Sequence, residues 1–203
     1  KQAIQSVCNR AILLNSGRIA MQGEPEAVMD YYNAMLAEHQ NQTVKQKVHE
    51  SGKVQTLSGT GEAEVVDIQL ADENGNLLDV VDVGQTVSLR IYVQAKQAID
   101  RLVLGYGVKD RLGQVVYGTN THLKNKPILD VAAGSRYLFD IQFSANLGPG
   151  TYSIQTALVS SETHLVNNYE WRDLAFLFNV VNINKPHFAG CAWIDPQIEI
   201  YKL

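Results

Sequence analysis

The sequence predicts an all-β protein, an immunoglobulin-like antiparallel β-sandwich that is preceded by a short hairpin-helix segment and a linker. Two observations carry this prediction. From residue 61 onward, apolar and polar residues alternate with a period of two, which is typical of half-buried strands. Turn signals rich in Gly, Asn and Asp interrupt these runs at intervals of roughly 8–12 residues, the spacing expected of a sandwich with about seven strands.

Residues 1–37 follow a different pattern. In AILLNSGRIAMQG, two apolar runs flank the segment Asn15-Ser16-Gly17, which favours a β-hairpin with glycine at positive φ. In GEPEAVMDYYNAMLAEH, Pro25 suits the first turn of a helix. Apolar residues then recur at helical spacing, so one face of this helix requires a partner: Val28, Tyr31, Tyr32, Met35 and Leu36.

The next segment predicts a linker over residues 38–60. It has no sustained period and is rich in Gln, Lys, Ser, Thr and Gly, so it buries too little apolar area to order itself. Because the apolar face of the preceding helix has no evident partner in this sequence, we expect residues 1 to about 60 to be poorly ordered or to form improvised contacts in a dimer. The sandwich then spans residues 61–203, and Pro196 restricts residues 183–203 to an edge strand or arm.

Several stretches supply the strands of the sandwich. In QTVSLRIYVQA, the apolar residues Val87, Leu89, Ile91 and Val93 share one face. Two strands flank the turn at 110–113 in RLVLGYGVKDRLGQVVYGTNT, a further pair flanks the turn at 147–150, and DLAFLFNVVNI adds another strand. Tyr152, at the start of its strand, fits either a tyrosine corner or plain core packing.

Composition excludes several classes of function. The chain has 203 residues, a formal net charge of −4 and two cysteines. It has no basic footprint of the kind that phosphate backbones select, so nucleic acid is not an expected partner. Cys8 and Cys191 lie outside any metal-ligand spacing, and we interpret both as buried thiols. No apolar run approaches the ~20 residues of a membrane span, which predicts a soluble protein.

The sequence offers no catalytic or metal site. Its histidines form no HExxH pair, and no serine lies in a G-x-S-x-G elbow. The acidic pairs Asp72/Glu73 and Asp79/Asp82 flank turns or strand ends, where solvated carboxylates are a better interpretation than a glycosidase pair. A phosphate-cradling glycine loop is also missing from the sequence. Binding is therefore a better prediction than catalysis.

Residues 8–32, CNRAILLNSGRIAMQGEPEAVMDYY, resemble the last segment of an ABC-transporter ATPase. An ATPase end followed by a linker and a sandwich resembles the Wzt-type ATPases of bacterial O-antigen polysaccharide exporters, whose C-terminal domain recognises the glycan. The stretches GYGVKDRLGQVVYGTNT, GPGTYSIQTAL and WRDLAFLFNV resemble strands of that domain.

This resemblance implies that residues 1–37 are the end of an ATPase domain and that the sandwich recognises O-antigen polysaccharide. It also implies a homodimer with an exchanged C-terminal strand, contact with the transporter's membrane subunit through the ATPase domain, and a cytoplasmic position at the inner membrane. ATP and Mg would belong to the ATPase domain, since the Walker motifs are absent from this chain. We therefore expect no cofactor here.

A sugar site needs planar polar groups for hydroxyls and an aromatic face for the apolar side of the ring. Strand alternation directs a row of small and polar side chains outward, which would form a trough for a glycan. Loops at its rim would supply aromatic and amide groups. The predicted carbohydrate-binding residues are Gly105, Gly107, Lys109, Asn120, Gln155, Tyr169, Trp171 and Asn179.

Alternatives remain open from the sequence. Tyr169 and Trp171 are equally compatible with capping the core at a loop, and His122 and His164 with an ordinary surface position. The same exposed sheet face also suits a protein-interaction module that docks a partner subunit or a biosynthetic enzyme. A glycan-modifying enzyme is a more distant alternative.

Overall fold

The computed structural model describes residues 4, 7–38, 43–48, 54–161 and 168–202. The elements in chain order are β1 (Ala11–Asn15), β2 (Arg18–Gly23), α1 (Pro25–Glu38), β3 (Thr43–Val48), β4 (Val54–Gly59), β5 (Ala63–Ala71), β6 (Val80–Asp82), β7 (Thr86–Ala95), β8 (Ile99–Lys109), β9 (Val115–Asn120), β10 (Ile128–Val131), β11 (Arg136–Ser144), β12 (Gly150–Val159) and β13 (Asn168–Val181). No helix among these residues has the length and apolarity to cross a bilayer.

The strands form a β-sandwich, which confirms the predicted fold class. The larger sheet has the order β10-β8-β12-β13-β4-β3, with β9 added to β8 and β6 added to β13. The smaller sheet has the order β11-β7-β5. Neighbours pair in antiparallel register except β6, which runs parallel to β13. The third sheet is the hairpin of β1 and β2.

The core lies between these two sheets. Alternate residues of β7, among them Leu89 and Ile91, are fully buried against inward residues of the larger sheet such as Leu104, Ile154 and Leu158. Burying each such side chain contributes about 1.5–3 kcal/mol. The period-two pattern therefore follows from one face of each strand facing this core.

Tyr152 is part of the core and also fixes a turn. Its ring stacks on Phe178 at 5.7 Å, and its hydroxyl donates a hydrogen bond to the Gly148 carbonyl at 2.8 Å. A bond from a buried tyrosine to backbone four residues upstream is the contact of a tyrosine corner. Both interpretations that the sequence left open are therefore observed, since the ring packs in the core and the hydroxyl makes the corner contact.

The hairpin and the helix form where the sequence predicts them. Asn15 pairs with Arg18 across the turn, and both Ser16 (φ 48°) and Gly17 (φ 75°) adopt left-handed backbone. This is the geometry of a two-residue hairpin turn. The helix α1 begins at Pro25 and buries Val28 and Asp30, so it is not orphaned as the sequence suggested.

The predicted linker is where the structure differs most. Residues 43–48 and 54–59 form β3 and β4, and the Trp171–Arg172 part of β13 pairs with β4. Thr56 and Ser58 of β4 are buried. Within residues 38–60, β4 is therefore ordered by pairing with a strand more than a hundred residues away. The local amino-acid composition carries no signal of such a pairing. Residues 39–42 and 49–53 lie outside the described residues.

The C-terminal arm consists of two parts. The first part folds back: the Trp193 amide donates to the Asn146 carbonyl, and Ala192 bridges Leu147. Residues 194–202 then run without strand pairing and expose Ile198 and Ile200. Cys8 and Cys191 are both exposed free thiols, which corrects our interpretation of them as buried.

Candidate functional site

A trough of about 270 Å³ lies on the outer face of the larger sheet, the face turned away from the smaller sheet. Small residues form its floor and an indole forms one wall. Two amide side chains and several apolar ones complete it. Its lining includes Gly105, Gly118, Asn120, Leu123, Gln155, Ala157, Val159 and Trp171.

The strand register explains why these residues meet. Asn120, Gly105, Ala157 and Trp171 are successive partners across β9, β8, β12 and β13. Directly paired residues share a face of a sheet, so the four side chains form one outward row. Gly105 and Ala157, between the amide of Asn120 and the indole of Trp171, carry little or no side chain, so the middle of this row forms a depression.

A second row lies two residues further along the strands. Gly118 pairs with Gly107, and Gly107 pairs with Gln155. A Cβ placed on Gly107 would stand 3.0 Å from Gln155 Nε2 and 3.1 Å from its Cγ. The Gln155 side chain therefore lies across the bare backbone of Gly107, where glycine alone leaves room for it.

Gly105 has more open surroundings. A Cβ there would meet the nearest atoms, on Ala157 and Asn120, at 3.6–3.7 Å, which is ordinary contact. Asn120 is itself held by accepting a hydrogen bond from the Leu123 amide on its Oδ1 at 2.8 Å. The amide of Asn120 is thus positioned by the loop that follows β9.

Lys109 does not belong to this trough, which corrects its predicted exposure. It lies on the outer face but is buried, because α1 covers it. Its ammonium group is 2.6 Å from Asp173 Oδ1, 3.5 Å from Glu26 Oε1 and 3.6 Å from Asp30 Oδ2. Burial opposes its charge, but these carboxylates outweigh burial and raise the pKa of Lys109 above its usual value.

Tyr169 and Asn179 also lie elsewhere. Tyr169 falls in an irregularity of the β12/β13 register, which turns its ring into the core, and its hydroxyl donates to the Arg101 carbonyl at 3.1 Å. Asn179 is exposed near the far end of β13 and accepts a hydrogen bond from the Thr151 hydroxyl at 2.8 Å. Neither residue lines the trough, in contrast to Gly105, Asn120, Gln155 and Trp171.

Neither of the two described histidines, His122 and His187, lines the trough. His122 Nδ1 lies 2.6 Å from Arg101 Nη2, so the ring is engaged beside the loop after β9. His164 is outside the described residues. Among the described residues, the carboxylates that lie close enough to share a cation are those of Glu26, Asp30 and Asp173. Lys109 already supplies the positive charge there, so the arrangement fits an ion-pair cluster better than a metal centre.

A second concavity lies between the two sheets and was not foreseen from the sequence. This inter-sheet cleft has a volume of about 770 Å³ and opens between β9 and β11. Tyr106 and Tyr117 line one side with ring centroids 6.1 Å apart, and burial beside Tyr117 raises the pKa of Tyr106 to about 12. Phe139, Ile141 and Phe143 of the edge strand β11 line the other side and are only half-buried.

The family comparison agrees with this architecture. A family model described as the Wzt C-terminal domain matches residues 54–194, which is the greater part of the chain. The matched region begins at β4, inside the segment that the sequence predicted as a linker. No curated protein sequence matches the chain.

Solved structures provide a comparison of folds. The chain is similar to the crystal structure of the C-terminal domain of wzt, with 18% identity, coverage of 72% of this chain and 89% of that chain, and a TM-score of 0.65. Weaker matches include the alkylpurine DNA glycosylase AlkC of Pseudomonas fluorescens (12% identity, 59% of this chain and 30% of that chain, TM-score 0.36). Another is the CARDB domain of the PF1109 protein of Pyrococcus furiosus (13% identity, 59% and 97%, TM-score 0.35). Their low scores carry no functional argument.

Proposed function

Because the chain belongs to the family of Wzt C-terminal domains, we propose that it is a non-catalytic carbohydrate-binding module that recognises the O-antigen polysaccharide for export by an ABC transporter. The observation that carries this proposal is the trough, in which two amides and an indole surround a floor of glycine and alanine. These groups are suited to sugar hydroxyls and to the apolar face of a sugar ring.

The charge of the trough indicates the kind of sugar that fits. Its described lining carries no carboxylate and no cationic side chain. The nearby Lys109 is withdrawn into its own cluster of carboxylates. A neutral glycan segment therefore loses no ionic hydration on entry, whereas a charged one would find no counter-charge in the trough. We expect the bound part of the polysaccharide to be uncharged.

A titration tests the proposal. The chain has two tryptophans, and Trp193→Phe leaves Trp171 as the one fluorophore of this type. Titrating this variant with the producer strain's own polysaccharide should change the Trp171 emission saturably, and an unrelated polysaccharide should not. Individual sugar contacts are weak, so we expect a Kd between about 1 μM and 1 mM. Equal responses to both polysaccharides, or none to either, would contradict glycan recognition and favour a protein-interaction module.

The dimer belongs to the same proposal. Within the described residues, the edge strand β11 has no strand paired on its outer side, and the inter-sheet cleft beside it is largely apolar. Residues 194–202 expose Ile194, Ile198 and Ile200 and pair with no strand. We propose that this arm of a second copy adds to the sandwich at the cleft, so that two chains exchange their C-terminal ends.

The remaining parts of the proposal concern the transporter. The hairpin-helix segment would be the end of an ATPase domain that binds ATP and Mg and contacts the membrane subunit. The protein would then work in the cytoplasm, at the inner membrane. These statements rest on the resemblance of residues 8–32 to an ATPase end and on the family of the sandwich.

A further inference from the structure

The helix α1 and the trough occupy neighbouring parts of one sheet face. Lys109 pairs with Ser153, and two residues along the same strands Gly107 pairs with Gln155. Two residues of a strand span about 7 Å. The charged cluster under α1 therefore lies one row away from the amide of the trough.

Two elements of the sheet place charged groups under the helix. Lys109 is the last residue of β8, and Asp173 lies in a bulge of β13, where residues 173–175 face Gln155 alone. Leu174 in this bulge has a φ of 44°, a left-handed conformation that is costly for a branched residue. Its carbonyl accepts a hydrogen bond from Gln55 Nε2 at 2.7 Å, which fixes the bulge.

The helix supplies the other half of the cluster from its first two turns. Glu26 and Asp30 are one helical turn apart and both are buried. The Glu26 carboxyl also packs against the turn after β8, where a Cβ on Gly113 would stand 2.4 Å from its Cδ. Glycine at that turn therefore lets the helix approach the sheet.

The charges of the cluster are unequal. Three carboxyl groups surround one ammonium, so full ionisation would leave excess negative charge in a buried place. One carboxylate oxygen of Asp30 and one of Asp173 lie within 4.8 Å of each other. Two carboxylates this close resist ionising together in a buried place, so a proton on one of them would bring the cluster closer to neutrality.

We propose that Lys109, Asp173, Glu26 and Asp30 form an ionic latch that fixes α1 on the sheet, so that the hairpin-helix segment and the sandwich behave as one rigid body. The alternative, a sandwich tethered by a loose chain, would place no buried charges between the two parts. Removing one member of a buried ion cluster leaves the others poorly compensated, so the docking should depend strongly on each. This inference does not rest on glycan binding.

Hydrogen exchange tests the latch. The double variant Glu26→Gln/Asp30→Asn removes the charges of the helix side and leaves the Lys109–Asp173 pair in the sheet. We expect amide exchange in residues 28–36 to rise at least about tenfold, while amides of β7 in the far sheet keep their protection. The single variant Asp30→Asn should produce a smaller rise at the same amides. It replaces the double variant as the test if the double variant folds poorly.

Glu64→Gln is the control. It breaks the exposed Lys96–Glu64 pair, whose 2.6 Å length equals that of the Lys109–Asp173 pair, and exposed pairs contribute little. The exchange of α1 should not change in this control. Unchanged exchange of α1 in both helix variants would overturn the latch. An equal rise in α1 and in β7 would also overturn it, because the cluster would then support the whole fold rather than a joint.

Discussion

Gln155 lies across Gly107, with its amide nitrogen 3.0 Å from the point where a Cβ would stand on that glycine. The two residues are direct partners on β12 and β8. Because Gly107 has no side chain, the Gln155 amide can lie directly over its backbone. An amide held flat on a sheet keeps both its donor and its acceptor available at the trough.

Gln155→Ala should weaken glycan binding without lowering the melting temperature. Removing the amide deletes one or two hydrogen bonds worth about 0.5–1.5 kcal/mol each, so Kd should rise roughly 2- to 12-fold for each bond lost. Titration and thermal unfolding of the same sample measure both effects. Gln94→Ala, on β7 of the smaller sheet, is the matched control and should leave Kd as it is. A Kd that Gln155→Ala leaves unchanged would place the site on another face.

Gly107→Ala should act through Gln155. The new methyl group would come within 3.0–3.3 Å of three Gln155 atoms and push the amide aside, so binding should weaken to the level of Gln155→Ala. In the Gln155→Ala background, the same change should have little further effect, which a double-mutant cycle detects as coupling. Gly150→Ala, at the start of β12 and outside the trough, is the control, because its Cβ would meet nothing closer than 3.8 Å. Additive effects of the first two changes would refute the coupling.

Trp171→Ala should weaken binding more than Trp171→Phe. The indole lies opposite Ala157 at the end of the small-residue row, and it offers a planar apolar surface. We expect a rise in Kd of about tenfold for alanine and a smaller one for phenylalanine, which keeps a ring. Trp193→Phe, in the arm, should bind as the parent does. Equal affinity of Trp171→Ala and the parent would show that the indole only caps the core.

Strand alternation predicts the fold and part of the trough. Gly105 and Gln155 face the same side because alternate residues of paired strands share a face, which the sequence encodes locally. Trp171 was predicted on a rim loop, but it lies on β13 opposite Ala157. Gly118 does not follow from alternation alone. A register shift between Val108 and Lys109, which pair with Tyr117 and Val115, brings it opposite Gly107.

Other positions were not predictable from local pattern. Lys109 faces outward as alternation requires, but a helix more than seventy residues earlier covers it. Tyr169 lies at a register irregularity, and an irregularity exchanges the faces of the residues beyond it. The strand β4 is ordered by its pairing with β13. Its polar composition alone therefore predicted a linker where a strand forms. The errors at Lys109 and β4 therefore come from long-range contacts, and the error at Tyr169 comes from a shift of strand register.

Acid should release the latch. Burial alone would raise the pKa of Asp173, but hydrogen bonding to Asp30 and the Lys109 ammonium outweigh it and hold the pKa below the usual 3.8. A lowered pKa contributes stability that is present above the unfolded value and is lost as pH falls through the native value. The protection factor of α1 amides, which compares the measured exchange rate with the intrinsic rate at the same pH, should therefore fall below about pH 4 in the parent and depend less on pH in Asp173→Asn.

Glu170 provides a contrast of opposite sign. Its burial raises its pKa despite the nearby Arg172, so its effect on stability favours low pH and is lost as pH rises. Glu170→Gln removes that effect and should make acid destabilisation of the sandwich steeper than in the parent. Thermal unfolding between about pH 3 and pH 7 measures the difference. Identical acid profiles for the parent, Asp173→Asn and Glu170→Gln would show that neither buried carboxyl governs the response.

The C-terminal arm should decide the oligomeric state. Ile198 and Ile200 are among the most exposed apolar side chains described, while Phe139, Ile141 and Phe143 of β11 line a cleft that no described part of the chain fills. Both apolar surfaces would be buried if the arm of one copy entered the cleft of another. Ending the chain after Asp195 should then convert a dimer into a monomer or an aggregate, as sedimentation or light scattering would detect.

Ile198→Asp/Ile200→Asp keeps the full length and should have the same result, whereas Lys202→Ala should not. A truncated chain that stays a stable dimer would rule out exchange, and a full-length monomer with a protected arm would show that the arm closes its own cleft.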